Sequence, residues 1–170
     1  MSSSILIPEA HLPTAEKYAQ LFAQAEALVA HEPDAIANLS NLCSLLKEGF
    51  GFLWVGFYRV VNDELVLGPF QGPVACTRIA FGKGVCGSSW RDAKTLVVPD
   101  VDLFPGHIAC SSLSRSEIVV PVFNQAREVI MVLDVDSEIV NFLDEEHAAG
   151  LEKFAALAGF CLQSDSRQSL

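Results

Sequence analysis

Apolar positions recur with a helical period over the first fifty residues. Pro13-Thr14-Ala15-Glu16 opens a helix that alanine, leucine and glutamine carry to about His31. Pro33-Asp34 starts a second helix running to about Glu48, with Gly49 as its stop. Ile36, Leu39, Cys43 and Leu46 share one face of it, so Cys43 is expected in the core. From Phe52 the pattern changes to aromatic and β-branched residues. Phe52–Val60 predicts a strand, and Val61-Asn62-Asp63-Glu64 turns it back into Leu65–Gly68 as a hairpin. A third strand is expected over Ala75–Ile79. The glycine-rich Phe81–Gly87 then leads into a short helix near Ser88–Arg91, and Thr95–Val98 forms another strand.

The loop Asp100–Ser114 precedes a second hairpin, Glu117–Phe123 and Glu128–Asp136, joined by Asn124–Arg127. Asp144–Cys161 predicts the closing helix, with His147, Leu151, Phe154, Ala158 and Cys161 on one face. Cys161 is therefore also expected in the core. Strand hairpins flanked by helices imply an α+β domain, an antiparallel sheet with helices packed on one face and long loops on the other. One domain accounts for residues 1–170, with a core of about 13–162 and a polar tail over 163–170.

Composition narrows the function classes. Half of the residues are apolar (51%) and the formal net charge is -10, against a nucleic-acid surface or an anionic membrane surface. No apolar run approaches the ~20 residues of a bilayer span. The first eight residues lack the basic and apolar segments of a signal peptide, so a cytoplasmic location with reduced thiols is expected. The five cysteines do not have the spacing of paired Cys-x-x-Cys ligands, and no metal site is expected.

Three of those cysteines lie among small residues: Cys76, Cys86 and Cys110. In that setting they are expected to be exposed and reactive, with Cys110, after Gly106-His107 and before a run of serines, as nucleophile. Backbone N–H groups of a turn there would favour a thiolate and could hold a carboxylate. Asp134 and Asp136 alternate in one strand and point to one face, and Glu117 begins the neighbouring strand. Carboxyls converging near apolar residues form a general acid beside an anion, or hold an ammonium group. Solvated strand ends are the plainer fate. Trp54 and Tyr58, four apart in a strand, can wall a methyl-sized pocket or belong to the core. His107 can act as base to Cys110, as in a cysteine hydrolase, but three residues away on one loop it is expected to shape that loop or stand exposed.

Several stretches together resemble a known family. They are Leu67–Pro73, Ala75-Cys76, Gly82–Gly87, Phe104–Cys110, Ser116–Pro121 and Leu133-Asp134-Val135-Asp136-Ser137. They resemble the free methionine-(R)-sulfoxide reductases, which are GAF-domain enzymes, over nearly the whole chain. The resemblance implies Cys110 as catalytic cysteine, Cys76 as resolving cysteine and Cys86 as an auxiliary third. It implies Trp54, Tyr58, Glu117, Asp134 and Asp136 as the substrate pocket. It further implies free methionine sulfoxide as substrate, no bound cofactor, thioredoxin as external reductant, and a homodimer as a compatible assembly. Ser111 stands where many members have an acid, and Met131 where glycine is common. The competing reading is a non-catalytic GAF module that binds a small ligand.

Overall fold

The computed structural model describes residues 5–108 and 111–165. Helices α1 (Thr14–Val29) and α2 (Ala35–Phe50) come first. The hairpin β1 (Trp54–Val61) and β2 (Glu64–Gln71), and the short strand β3 (Arg78–Ala80), follow. Helix α3 spans Gly84–Asp92, and β4 Leu96–Val98. The second hairpin is β5 (Ser116–Phe123) and β6 (Val129–Ser137), before α4 (Glu145–Asp165). The strands form one sheet in the order β3-β2-β1-β6-β5-β4, with every neighbouring pair antiparallel. None of the described helices is long and apolar enough to cross a membrane.

Local chemistry sets these bounds. Asn62 and Asp63 both have positive φ (48° and 63°), and Val61 pairs with Glu64, so β1 and β2 meet in a two-residue turn that suits strand twist. The Asp34 side chain accepts from the Ala37 N–H at 2.8 Å and caps α2. The stop of α2 is Gly51, in the left-handed conformation, rather than Gly49. Gly49 lies inside the helix where α1 crosses, and a Cβ there would sit 2.3 Å from Leu21. Its glycine serves close helix approach. The buried face of α2 likewise omits Ile36, which is 55% exposed; Ala35, Leu39, Leu42, Cys43 and Leu46 carry it. Periodicity marks a stripe, but at Ile36 no neighbouring element covers it.

The three long helices pack on one face of the sheet, as the pattern of strands implied. Tyr18, Leu21, Leu42, Cys43, Phe154 and Ala158 meet Val55, Phe57, Met131, Leu133 and Val135 there. His147 is buried in this layer, and the Tyr18 hydroxyl lies 2.9 Å from its Nδ1. The opposite face carries the loops together with α3. Trp54, Tyr58, Val119 and Val132 project from the sheet on that side, and Val85 and Cys86 of α3 pack with them. Strand alternation thus divides each central strand between a helix-side core and a loop-side cluster.

Candidate active site

Antiparallel register builds the site in rows. Trp54 pairs with Asp136, and Asp136 with Glu117, so an indole and two carboxyls stand side by side across β1, β6 and β5. One step along, Gly56 pairs with Asp134 and Asp134 with Val119; next come Tyr58 and Val132. With adjacent strands ~4.8 Å apart, these side chains form a continuous floor. Of these, Trp54, Tyr58, Glu117, Asp134 and Asp136 line a cavity together with Cys86 from α3 and with Val74, His107 and Ile108 from two loops.

The aromatic wall is fixed from both ends. The Trp54 and Tyr58 rings stack at 5.8 Å between centroids, and both residues are buried. Trp54 Nε1 donates to the Pro73 carbonyl at 3.1 Å, and the Tyr58 hydroxyl donates to the Cys76 carbonyl at 2.9 Å. Both bonds hold the segment carrying Cys76 against the floor. Gly56 makes the stack fit, because a Cβ there would lie 2.3 Å from the Trp54 ring.

Acids face that wall. Glu117 and Asp134 are buried, and Oδ1 of Asp134 has no hydrogen-bond partner among the described residues. Burial, then the charge of Asp136, pushes the pKa of Glu117 well up; burial and the charges of Asp136 and Glu117 do the same to Asp134. Asp136 is pushed up to about 6 by burial, against a hydrogen bond from Ser114 and the nearby His107. His107 Nε2 lies 3.4 Å from Glu117 Oε2. The site therefore offers protonated acids beside ionisable ones, and an unfilled acceptor that suits a cationic ligand group.

The structure brings Trp54, Tyr58, Glu117, Asp134 and Asp136 to one cavity; the strand pattern predicted Asp134 with Asp136 beside Glu117, and Trp54 with Tyr58, and the structure joins the two sets. Cys76 is partly buried and disulfide-bonded. Cys86 differs from expectation. It is 4% exposed, and burial, then the charges of Asp134 and Glu117, holds its thiol protonated. The reason is that α3 begins at Gly84, within the glycine-rich stretch, and turns Cys86 onto β5 and β6. Cys110, the expected nucleophile, lies outside the described residues. Cys43 and Cys161 are buried free thiols on the helix side, as expected.

Three positions were not read from sequence as parts of the site. His107, expected to shape its loop or stand exposed, instead faces Glu117. Ser114 reaches Asp136, a contact that only the fold creates. Gly56 did carry a signal, since glycine inside an aromatic strand marks a close approach. Of the two departures from the family pattern, Met131 points into the helix-side core, whereas Ser111 lines the cavity, where its Oγ accepts from the Leu113 N–H at 3.2 Å.

A helix-backed antiparallel sheet with loops and a pocket on its other face is the architecture of a GAF domain. A family model described as GAF domain matches residues 34–163, and the chain belongs to that family. Among relatives, it is 42% identical to the free methionine-R-sulfoxide reductase of Escherichia coli over 83% of this chain and 86% of that one. It is 59% identical to GAF domain-containing protein A of Dictyostelium discoideum over 76% of this chain and 82% of that one. The solved structure of free methionine-R-sulfoxide reductase from Neisseria meningitidis, in complex with its substrate, superimposes with a TM-score of 0.92 at 48% identity. That superposition covers 98% of this chain and 100% of the other.

Proposed function

We propose that this protein reduces free L-methionine (R)-sulfoxide to L-methionine, with Cys110 as nucleophile and Cys76 as resolving cysteine. One observation carries the reading: three acids converge on one floor, opposite a stacked Trp54–Tyr58 wall, with Asp134 Oδ1 unfilled. A ligand with an ammonium group, an apolar methyl and a basic oxygen matches this arrangement. The relatives of Escherichia coli and Neisseria meningitidis, by name reductases of that compound, support it.

The chemistry follows from the groups on hand. The Cys110 thiolate attacks the sulfoxide sulfur while a protonated carboxyl of the Glu117, Asp134 and Asp136 set donates to the oxygen. Methionine departs reduced by two electrons, and Cys110 retains the oxygen as a sulfenic acid. The Cys76 thiol condenses with it, releasing water and forming a disulfide. Thioredoxin, a dithiol supplied from outside, returns the pair to thiols. The disulfide at Cys76 beside free Cys43, Cys86 and Cys161 supports this pairing.

The test incubates fully reduced protein with free L-methionine (R)-sulfoxide and follows methionine and thiols together. Two of the five thiols should disappear for each methionine formed. In Cys110→Ser no methionine should form in a single turnover. Binding without methionine formation would make the protein a ligand-binding GAF module and end the proposal. Methionine formed without thiol loss would end the cysteine mechanism.

A further inference from the structure

Cys86 Sγ, a carboxylate oxygen of Glu117 and one of Asp134 lie within 4.8 Å of one another, and all three residues are buried. They come from α3, β5 and β6, which the fold packs together. Asp134 is 7% exposed and lines the cavity, and its buried Oδ1 has no hydrogen-bond partner among the described residues. A buried oxygen of this kind calls for a donor or a cation.

We propose that Cys86, Glu117 and Asp134 form a binding site for a thiophilic divalent cation, zinc(II) foremost, at the position where a ligand's ammonium group would otherwise sit. Sulfur among the donors selects zinc over magnesium or calcium, which prefer oxygen alone. Zinc bonds of ~2.3 Å to sulfur and ~2.0–2.2 Å to oxygen set tetrahedral donors ~3.5 Å apart. The three groups therefore reach a common ion by side-chain adjustment, without moving a strand. Three protein donors leave a fourth position facing the cavity, for water. Thiolate and two carboxylates carry one more negative charge than the ion neutralises; Lys83, which lines the cavity, supplies a compensating positive charge. The site differs in kind from a four-cysteine structural zinc. Its donors are spread over the chain from Cys86 to Asp134, and only the register of β5 and β6 brings the two acids together.

One consequence rests on the reductase reading: bound zinc would exclude the free amino acid and block turnover. The metal site itself does not depend on it.

The test uses the full chain in its disulfide form, so that Cys76 cannot bind metal; among the described residues the other two free thiols, Cys43 and Cys161, are buried on the helix side. Cobalt(II) serves as the spectroscopic stand-in for zinc. One equivalent should give a thiolate-to-cobalt charge-transfer band with tetrahedral d–d absorption, and zinc should bleach both. Cys86→Ser should abolish the charge-transfer band and weaken zinc binding at least ~10-fold, the loss found even for outer partners of metal ligands. Asp134→Asn should keep the band and weaken binding by a similar factor; it serves alone if Cys86→Ser does not fold. Absence of the band in the parent protein overturns the proposal, as does its survival in Cys86→Ser or unchanged affinity in Asp134→Asn. No substrate enters the titration, so a missing band with intact sulfoxide reduction removes the metal site alone. The band without reduction removes the proposed activity alone.

Discussion

Glu117 on β5 and Asp136 on β6 are direct partners across the ladder, two acids side by side above an apolar core. Like charges so placed repel, and in a sheet such pairs are destabilising. The pair persists because burial keeps protons on the cluster. Asp136, with an ordinary pKa of 3.8, is held at about 6. Between those values the folded protein binds more protons than the unfolded chain, so its stability falls as pH rises through the window. Two pKa units correspond to ~2–3 kcal/mol. Asp136→Asn should therefore be more stable than the parent at pH 7.5 by ~2 kcal/mol, with the two converging near pH 4. Urea unfolding across that range checks it; parallel stability curves would show that the pair carries no such cost.

Gly56 supports the aromatic wall by absence. A methyl there meets the Trp54 ring at 2.3 Å and Phe70 Cβ at 2.5 Å. Gly56→Ala should cost ~1–3 kcal/mol as overpacking. It should also push Trp54 toward the acids and lower kcat/KM by ~10-fold or more, since misplacement near 1 Å is that costly. Thermal unfolding and steady-state kinetics report the two effects separately. Unchanged kinetics would mean that Trp54 does not touch the ligand.

Strand-borne parts of the site were legible in the sequence, and helix- and loop-borne parts were less so. The period of two places Asp134 with Asp136, and Trp54 with Tyr58, on one face whatever the tertiary context. The hairpin turn over 124–127 then sets Glu117 opposite Asp136. The glycines around Cys86 suggest a loop, whereas the α3 backbone starts at Gly84 and buries the thiol. Gly49 read as a helix stop, yet its partner is Leu21 on another helix. Contacts between loop and sheet, such as His107 with Glu117 and Ser114 with Asp136, join residues ten and twenty-two positions apart. No local pattern encodes such contacts.

His107 Nε2 lies 3.4 Å from Glu117, and the residue's presence holds the pKa of Asp136 lower than burial alone would. His107→Ala should raise the pH at which the cluster ionises. If an acid of the cluster donates the proton to the sulfoxide, the alkaline limb of the rate profile moves to higher pH. A loop-positioning role alone would lower kcat or raise KM without moving that limb. The pH dependence of methionine formation in parent and variant separates the two.

The reductase should accept the free amino acid and reject methionine sulfoxide within a peptide. Glu117 and Asp134 are buried, and Asp134 Oδ1 awaits a donor. An ammonium group supplies both charge and hydrogen-bond donors; an amide of a blocked amino group supplies no charge. Above the floor, the Pro73–Cys76 segment is tied down by Trp54 and Tyr58, and Ile108 closes toward Gly84. A peptide would have to run through these contacts. Buried acids left without their cation cost ~3–5 kcal/mol, by analogy with broken buried ion pairs. Expressed as kcat/KM, that is a loss of more than ~100-fold. The comparison is between free L-methionine (R)-sulfoxide and its N-acetyl, C-amide derivative, with the (S) epimer as stereochemical control. Comparable kcat/KM on the blocked compound would show that the acids do not read the ammonium group, and would point to repair of oxidised methionine in proteins.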